Sequence, residues 1–325
     1  MPQSKSDIIQ KLLDHIPKEL KPVQYLVDLL DISNESVYRR MKGEVSFSFD
    51  EIIKLSHELG FSVDELISED GGIASFELLA NSTTSYSDTF LNILKLVKEH
   101  LNEVAVSGDT ETINAWNHLP PIFLVKCDHL FKFRYFKWLH QGADIPSNRM
   151  YSDVIVPSEI LSLKEQLISD IKTSRNVISV MGPSIFLNLI KEIQYYYIRK
   201  LITDEEKAVL KEDLYKMIDI IEKLVQDGKF NEEGKISYYL SSLEIDTNTI
   251  YVQYDTKEVC IFWVVSMPPI FISNKEVCTV QKKWLESLMK YSTLITSSNE
   301  LMQSEFFRKQ REYVKNMDNI TFPYR

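Results

Sequence analysis

Residues 23 to 44 read VQYLVDLLDISNESVYRRMKGE, and the fold of the front of this chain turns on them. Pro22 sits where a helix can begin, and Leu26, Leu29 and Leu30 follow at helical spacing. Ser33 is a good N-cap for a second helix, over 34–42, and Gly43 is a good stop. Two helices joined by a tight turn can lay the second one in the major groove of DNA. At 100° per residue Val37 and Met41 fall together and face inward, whereas Glu35, Arg39 and Lys42 fall on the opposite side. Ser36 and Tyr38 flank that outward row, and Arg40 stands at its edge, within reach of a phosphate. Arginine bonds guanine with two donors and glutamate accepts from the cytosine amino group, so this row suits base edges and phosphates together. Backbone amides around Ser33 and Asn34 add a place for a phosphate at the helix start. The expected DNA-contacting set is Ser33, Asn34, Glu35, Ser36, Tyr38, Arg39, Arg40 and Lys42.

The flanking sequence fits a five-helix head. Upstream, Ile8, Ile9, Leu12, Leu13 and Ile16 share one face before Pro17 ends the pattern. Downstream, Ser48 caps a helix with Phe49, Ile52, Ile53, Leu55 and Leu59 at 3–4 spacing, until Gly60. Ser62 then caps a short fifth helix carrying Val63, Leu66 and Ile67. The polar run Ser68-Glu69-Asp70-Gly71-Gly72 breaks the series, which divides the chain into residues 1–70 and 76–325.

Over residues 23 to 67 the sequence resembles the Cro/CI-type, or XRE-like, helix-turn-helix domain of bacterial transcription regulators. Leu26, Leu30, Ile32, Val37, Gly43 and the closing ELGFSVDELI carry the resemblance. It implies a lambda-repressor-like head that binds double-stranded DNA. Three positions depart from the family pattern: Val27 replaces a small residue, Asp31 a glycine and Arg40 an apolar residue. The phrases IFLVKCDHLFKFRYFKW, WLESLMKYSTLITSSNE and FFRKQREYV resemble the long C-terminal region of some two-part regulators of this type, a region to which the resemblance attaches no activity.

The remaining residues mix helix and strand, so the whole is expected to be mainly α with an α+β C-terminal domain. Phe90, Leu94, Val97, Leu101 and Val104 repeat at 4-3-4-3, as do Leu210, Leu214, Met217, Ile221 and Leu224. Each seam spans about two heptads, short for a free coiled coil, and reads as core. Residues 183–201 look helical after the apolar run 177–181, and further helices are expected over 278–291 and 299–317. Residues 249–254 and 259–267 are rich in β-branched and aromatic side chains and form an expected hairpin about the turn 255–258.

Composition narrows the function. Nine glycines in 325 residues compose no GxGxxG or GxxxxGK[ST], against the Rossmann and P-loop classes. Cys127, Cys260 and Cys278 have no metal-ligand spacing and read as buried thiols of a reducing compartment. The first twenty residues carry acids, unlike a signal peptide, and the richest apolar run, 259–267, is half the ~18 residues of a membrane span. A cytoplasmic protein without membrane contact is expected. HExxH, CxxC and GxSxG are absent, and Cys127 and His129 lack a third ligand nearby, so neither catalysis, metal nor cofactor is expected. The aromatics Phe131, Phe133, Tyr135, Phe136 and Trp138 read as core rather than a ligand pocket, and Tyr195-Tyr196-Tyr197 as part of a one-sided helix.

The net charge is −10 overall, and residues 1–70 hold eight basic against fourteen acidic residues. An acidic head binds DNA weakly as a monomer. Yet residues 33–43 hold Arg39, Arg40 and Lys42 against Glu35. The expected protein is therefore a dimeric, sequence-specific transcription regulator whose C-terminal domain dimerises and senses a small-molecule or protein effector. The alternative is a protein-interaction scaffold whose helical head does not bind DNA, and a third reading places an enzyme in the C-terminal domain.

Overall fold

The computed structural model describes residues 5–16, 20–59, 61, 63, 85–107, 110–142, 144–170, 176–229, 234–263 and 269–320. Most of the expected fifth helix and the whole break at 68–72 lie outside these residues.

The head is built from α1 (Lys5–Asp14), α2 (Pro22–Leu30), α3 (Asn34–Met41) and α4 (Phe49–Leu59). Its core gathers Leu12, Ile16, Leu26, Val37, Leu55 and Phe61, so each of these helices contributes from the face that its spacing marked as apolar. Pro22 opens α2, and α2 ends on Asp31 in the left-handed conformation, φ 54°, whose N–H donates to the Val27 carbonyl. A short aspartate tolerates that conformation better than most side chains.

Residues 86–320 form a mixed seven-stranded sheet between helical layers. The strands are β1 (Thr110–Trp116), β2 (Asn176–Met181), β3 (Lys235–Ser241), β4 (Thr249–Tyr254), β5 (Lys257–Phe262), β6 (Ile270–Ile272) and β7 (Ser292–Leu294), in the order β6-β5-β4-β1-β2-β3-β7. The three strands β1, β2 and β3 are parallel, and β4 and β7 pair antiparallel with β1 and β3, while β5 and β6 continue the sheet antiparallel each to its neighbour. The helices are α5 (Tyr86–Val106), α6 (Asp128–Gln141), α7 (Ser158–Asp170), α8 (Leu187–Ile198), α9 (Asp204–Asp227), α10 (Lys275–Lys290) and α11 (Glu300–Lys315). The chain is thus α+β, as expected.

Alternation along the strands separates the two faces. Met181, Ile236 and Tyr238 pack into a large core with α5 to α9 and α11. On the other face Ile113, Ala115, Val180, Tyr251 and Cys260 meet Cys278, Leu285 and Leu288 of α10. Both 4-3-4-3 seams feed the first core, where Phe90 and Leu94 of α5 and Leu210, Leu214, Met217 and Ile221 of α9 are buried, while Val104 at the end of the first seam packs with β4 and β5 instead. The expected hairpin is β4–β5, with a tighter turn than expected: Lys257 already pairs with Tyr254, which leaves Asp255 and Thr256 as the loop. All three cysteines are free and buried, and the five aromatics from Phe131 to Trp138 are core side chains of α6. Among the described residues, no helix is long and apolar enough to cross a membrane.

Candidate nucleic-acid interface

Residue by residue, α3 is held at three points. At its start the Ser33 hydroxyl accepts from the Ser36 amide at 3.3 Å and lies 3.1 Å from the Ser36 hydroxyl, which satisfies one donor of the first turn. On its inner face Val37 is fully buried and Met41 packs beside it. At its end Gly43 has φ 74° and donates to the Arg40 carbonyl at 2.9 Å, a backbone geometry that favours glycine.

An ion pair adds a further hold to these three. Arg40 donates from Nε and Nη2 to the two carboxylate oxygens of Glu51, at 3.1 and 2.8 Å, and from Nη1 to the Ser36 carbonyl at 3.3 Å. Glu51 also accepts from the Ser48 amide at 2.7 Å, while its own amide donates to the Ser48 hydroxyl at 3.2 Å. Ser48 and Glu51 therefore form a capping box at the start of α4, and Arg40 clamps α3 onto it. Both side chains are more than four-fifths covered. Burial pushes the Glu51 carboxyl up, but the bonds from Arg40 and Ser48 together outweigh it and hold it below the usual carboxylate range.

This arrangement corrects the expected role of Arg40. The side chain does not stand at the edge of the outward row with a cation to offer a phosphate, because its guanidinium is engaged by Glu51. Its stem is covered and its head is paired. The Ser48-x-x-Glu51 spacing was visible in the sequence and marks the capping box; the reach of Arg40 to it across eleven residues was not.

The other expected residues lie on one exposed side. Asn34, Glu35, Tyr38, Arg39 and Lys42 are exposed, and Ser33 is exposed at the cap, while Ser36 is half-buried beneath them. Arg39 is 55% exposed with Glu44 at 3.7 Å, a surface pair weak enough for a phosphate or base to displace. The available positive charge of the face is thus Arg39 and Lys42, less than the sequence count suggested. Phe49 and Ile53, one turn apart on α4, are also exposed.

Among the described residues, no group of three or more His, Cys, Asp or Glu is placed to hold a metal ion. A cleft of about 240 Å³ lies over α6 and α8, lined by Lys137, Gln141, Lys191, Glu192, Tyr195 and Tyr196. Lys137 is buried there and bonds Glu192. Sequence reasoning did not mark this pair, because its members are 55 residues apart.

Neither a curated protein nor a solved structure matches the chain. Residues 6–92 match the BetR domain, a small N-terminal domain family associated with helix-turn-helix regulators. The match takes in α2, α3 and α4 whole and runs into the first turns of α5; it names this family and not the Cro/CI type.

Proposed function

We propose that the chain is a sequence-specific DNA-binding transcription regulator that works as a dimer, with residues 34–42 in the major groove. One observation carries this reading: α3 is fixed by Ser33, Val37 and the Arg40–Glu51 clamp, and so turns Glu35, Tyr38, Arg39 and Lys42 outward together. A reading helix must be rigid on its buried side for its outward side chains to meet base edges in register. The BetR-domain match over the same helices is consistent with a DNA-binding regulatory role. Resemblance of residues 23–67 to the Cro/CI type supports the groove and the docking helix.

Dimerisation follows from the charge. With Arg40 engaged, a single head offers few free cations to phosphate, and one head buries too little DNA for tight binding. A second tethered head raises affinity through effective concentration, without any new contact. In this reading residues 76–325 supply the dimer and respond to a small-molecule or protein effector, and carry no catalytic step, metal or cofactor. A salt-dependent gel shift on genomic fragments tests it: selective binding that weakens steeply with salt is expected, and equal retardation of all fragments, or none, overturns it.

A second reading is favoured by Phe49 and Ile53. Their exposure, 71% and 44%, on the helix beside α3 suits contact with another protein better than contact with phosphate. In that case the head is an interaction module, and Phe49→Ser abolishes partner capture while Arg39→Ala leaves it intact.

A further inference from the structure

The inner face of α10 is buried against the sheet through Cys278, Leu285 and Leu288. Its outer face is polar at many positions but carries an apolar stripe that a solvent face would not need. Val280 and Trp284 are exposed at 67% and 39%, and Tyr291, the C-cap residue, at 62%. At 100° per residue Val280, Trp284, Ser287 and Tyr291 fall within about 60° of arc, a stripe roughly 16 Å long. Leu294 lies alongside. It pairs with Tyr239 in the register of β7 with β3, and Tyr239 packs into the α10-side core, so Leu294 is on the α10 side of the sheet. β7 is moreover one of the sheet's two edge strands. Apolar side chains of this size, grouped on one helix and the adjoining edge, mark an interface.

The charges on the helix say which partner fits. α10 carries Glu276 in its first turn and Lys290 in its last, both exposed, and on the same flank of the stripe. Among the described residues, neither has an ion-pair partner within the chain. A helix with an acid at one end and a base at the other complements its own reverse. If a second copy lies antiparallel about a twofold axis near Lys283 and Trp284, Glu276 of each faces Lys290 of the other, and the two Trp284 rings meet at the centre. A closed, self-complementary contact of this kind uses the same patch twice and leaves no edge for further growth.

We propose that the Val280–Trp284–Tyr291 face of α10, with Leu294 beside it, is the homodimer interface, and that its occupant is a second copy of this chain packed antiparallel. This rests on the dimeric reading above and adds the surface to it. Sedimentation of the full chain over a range of concentrations tests both, with unfolding followed in parallel. The wild type is expected to be a dimer. Val280→Glu and Trp284→Lys are each expected to weaken it about tenfold or more, with the melting temperature of the monomer little changed for the exposed Val280. Glu276→Lys is expected to weaken association, and adding Lys290→Glu to restore it. Lys283→Cys, close to the axis, is expected to cross-link to its own copy with a short bis-maleimide. A monomeric wild type overturns the dimeric reading and this surface together. A wild-type dimer that Trp284→Lys and Val280→Glu leave equally tight, or that gives no Lys283→Cys cross-link, overturns the surface and leaves the dimer standing.

Discussion

Among the described residues the head encloses six fully buried apolar side chains, ringed by twelve that are partly covered. The helical layer over the sheet encloses 43, with Phe133, Phe136, Phe186 and Phe307 entirely inside. The two regions solve different problems. A large core can lose a contact and remain folded, since its stability is spread over many side chains. A small one rests on a few, about 3–5 kcal/mol in all for a domain of this size, and must be reinforced by caps and pairs at its surface. That is where the Ser33 cap, the Ser48–Glu51 box and the Arg40–Glu51 clamp are found, and they surround the candidate reading helix.

Five measurements break or sharpen this contrast. The largest effect is expected from Val37→Asp, which places an unpaired carboxylate in the head core at a cost of several kcal/mol. Circular dichroism and proteolysis should show the head lost while the sheet region stays folded; loss of both in one step would mean that the two regions are not independent. Next, Arg40→Met removes the clamp and leaves Glu51 covered without its cation. A loss of about 1.5–3 kcal/mol is expected in a head melt. A double-mutant cycle with Glu51→Gln should return a coupling energy, and a cycle that sums to zero would reduce the clamp to an ordinary surface pair.

The same clamp predicts a pH dependence of known sign. The folded-state pKa of Glu51 is depressed, so its stabilisation is present above the ordinary glutamate pKa and is lost as pH falls through the depressed value. Acidification should therefore destabilise the wild-type head more than the Arg40→Met head, and parallel acid titrations of the two would refute the assignment.

Arg39→Ala should leave the melt unchanged, as Arg39 is exposed. It should reduce discrimination between operator and random DNA by about 1–3 kcal/mol in competition binding. Arg40→Ala, by contrast, should lower the melt of the head, because the bonds to Glu51 are lost. The smallest effect belongs to Asp31, held at φ 54°. Asp31→Ala should cost about 1 kcal/mol of head stability, and Asp31→Gly should be neutral or slightly stabilising. An alanine variant as stable as wild type would show that the turn relaxes.

Local signals carried much of the fold into view. Pro22, the serine at 33 and the glycine at 43 delimit α2 and α3, since caps and stops act within one turn of the chain. The 4-3-4-3 seam marked the long α9, to which the structure adds a capping box of Thr203 and Glu206 at the start and Gly228 in the left-handed conformation at the close. The hairpin β4–β5 announced itself through β-branched and aromatic residues about a short turn. Several elements of the C-terminal region were less visible, α6 and β1 among them. α6 is buried on nearly every side, so it has no polar face and no period to read. β1 is covered on both faces and carries Asn114 and two threonines, which mutes its alternation.

The sequence by itself determined where the helices of the head begin and end, which of their faces turn inward, and which side chains of α3 are left outside. These follow from backbone geometry and helical period, which are properties of neighbouring residues. Only the tertiary structure showed that Arg40 clamps α3 onto Glu51. It also decided that the start of α6 is capped from a distance by Asp213, whose carboxylate accepts from the His129 and Leu130 amides at 2.9 and 3.2 Å. In both cases a charged side chain finds its partner across a stretch of chain, eleven residues in one and more than eighty in the other. No periodicity encodes such a meeting; it exists once the elements have packed, and burial then makes the pairing strong.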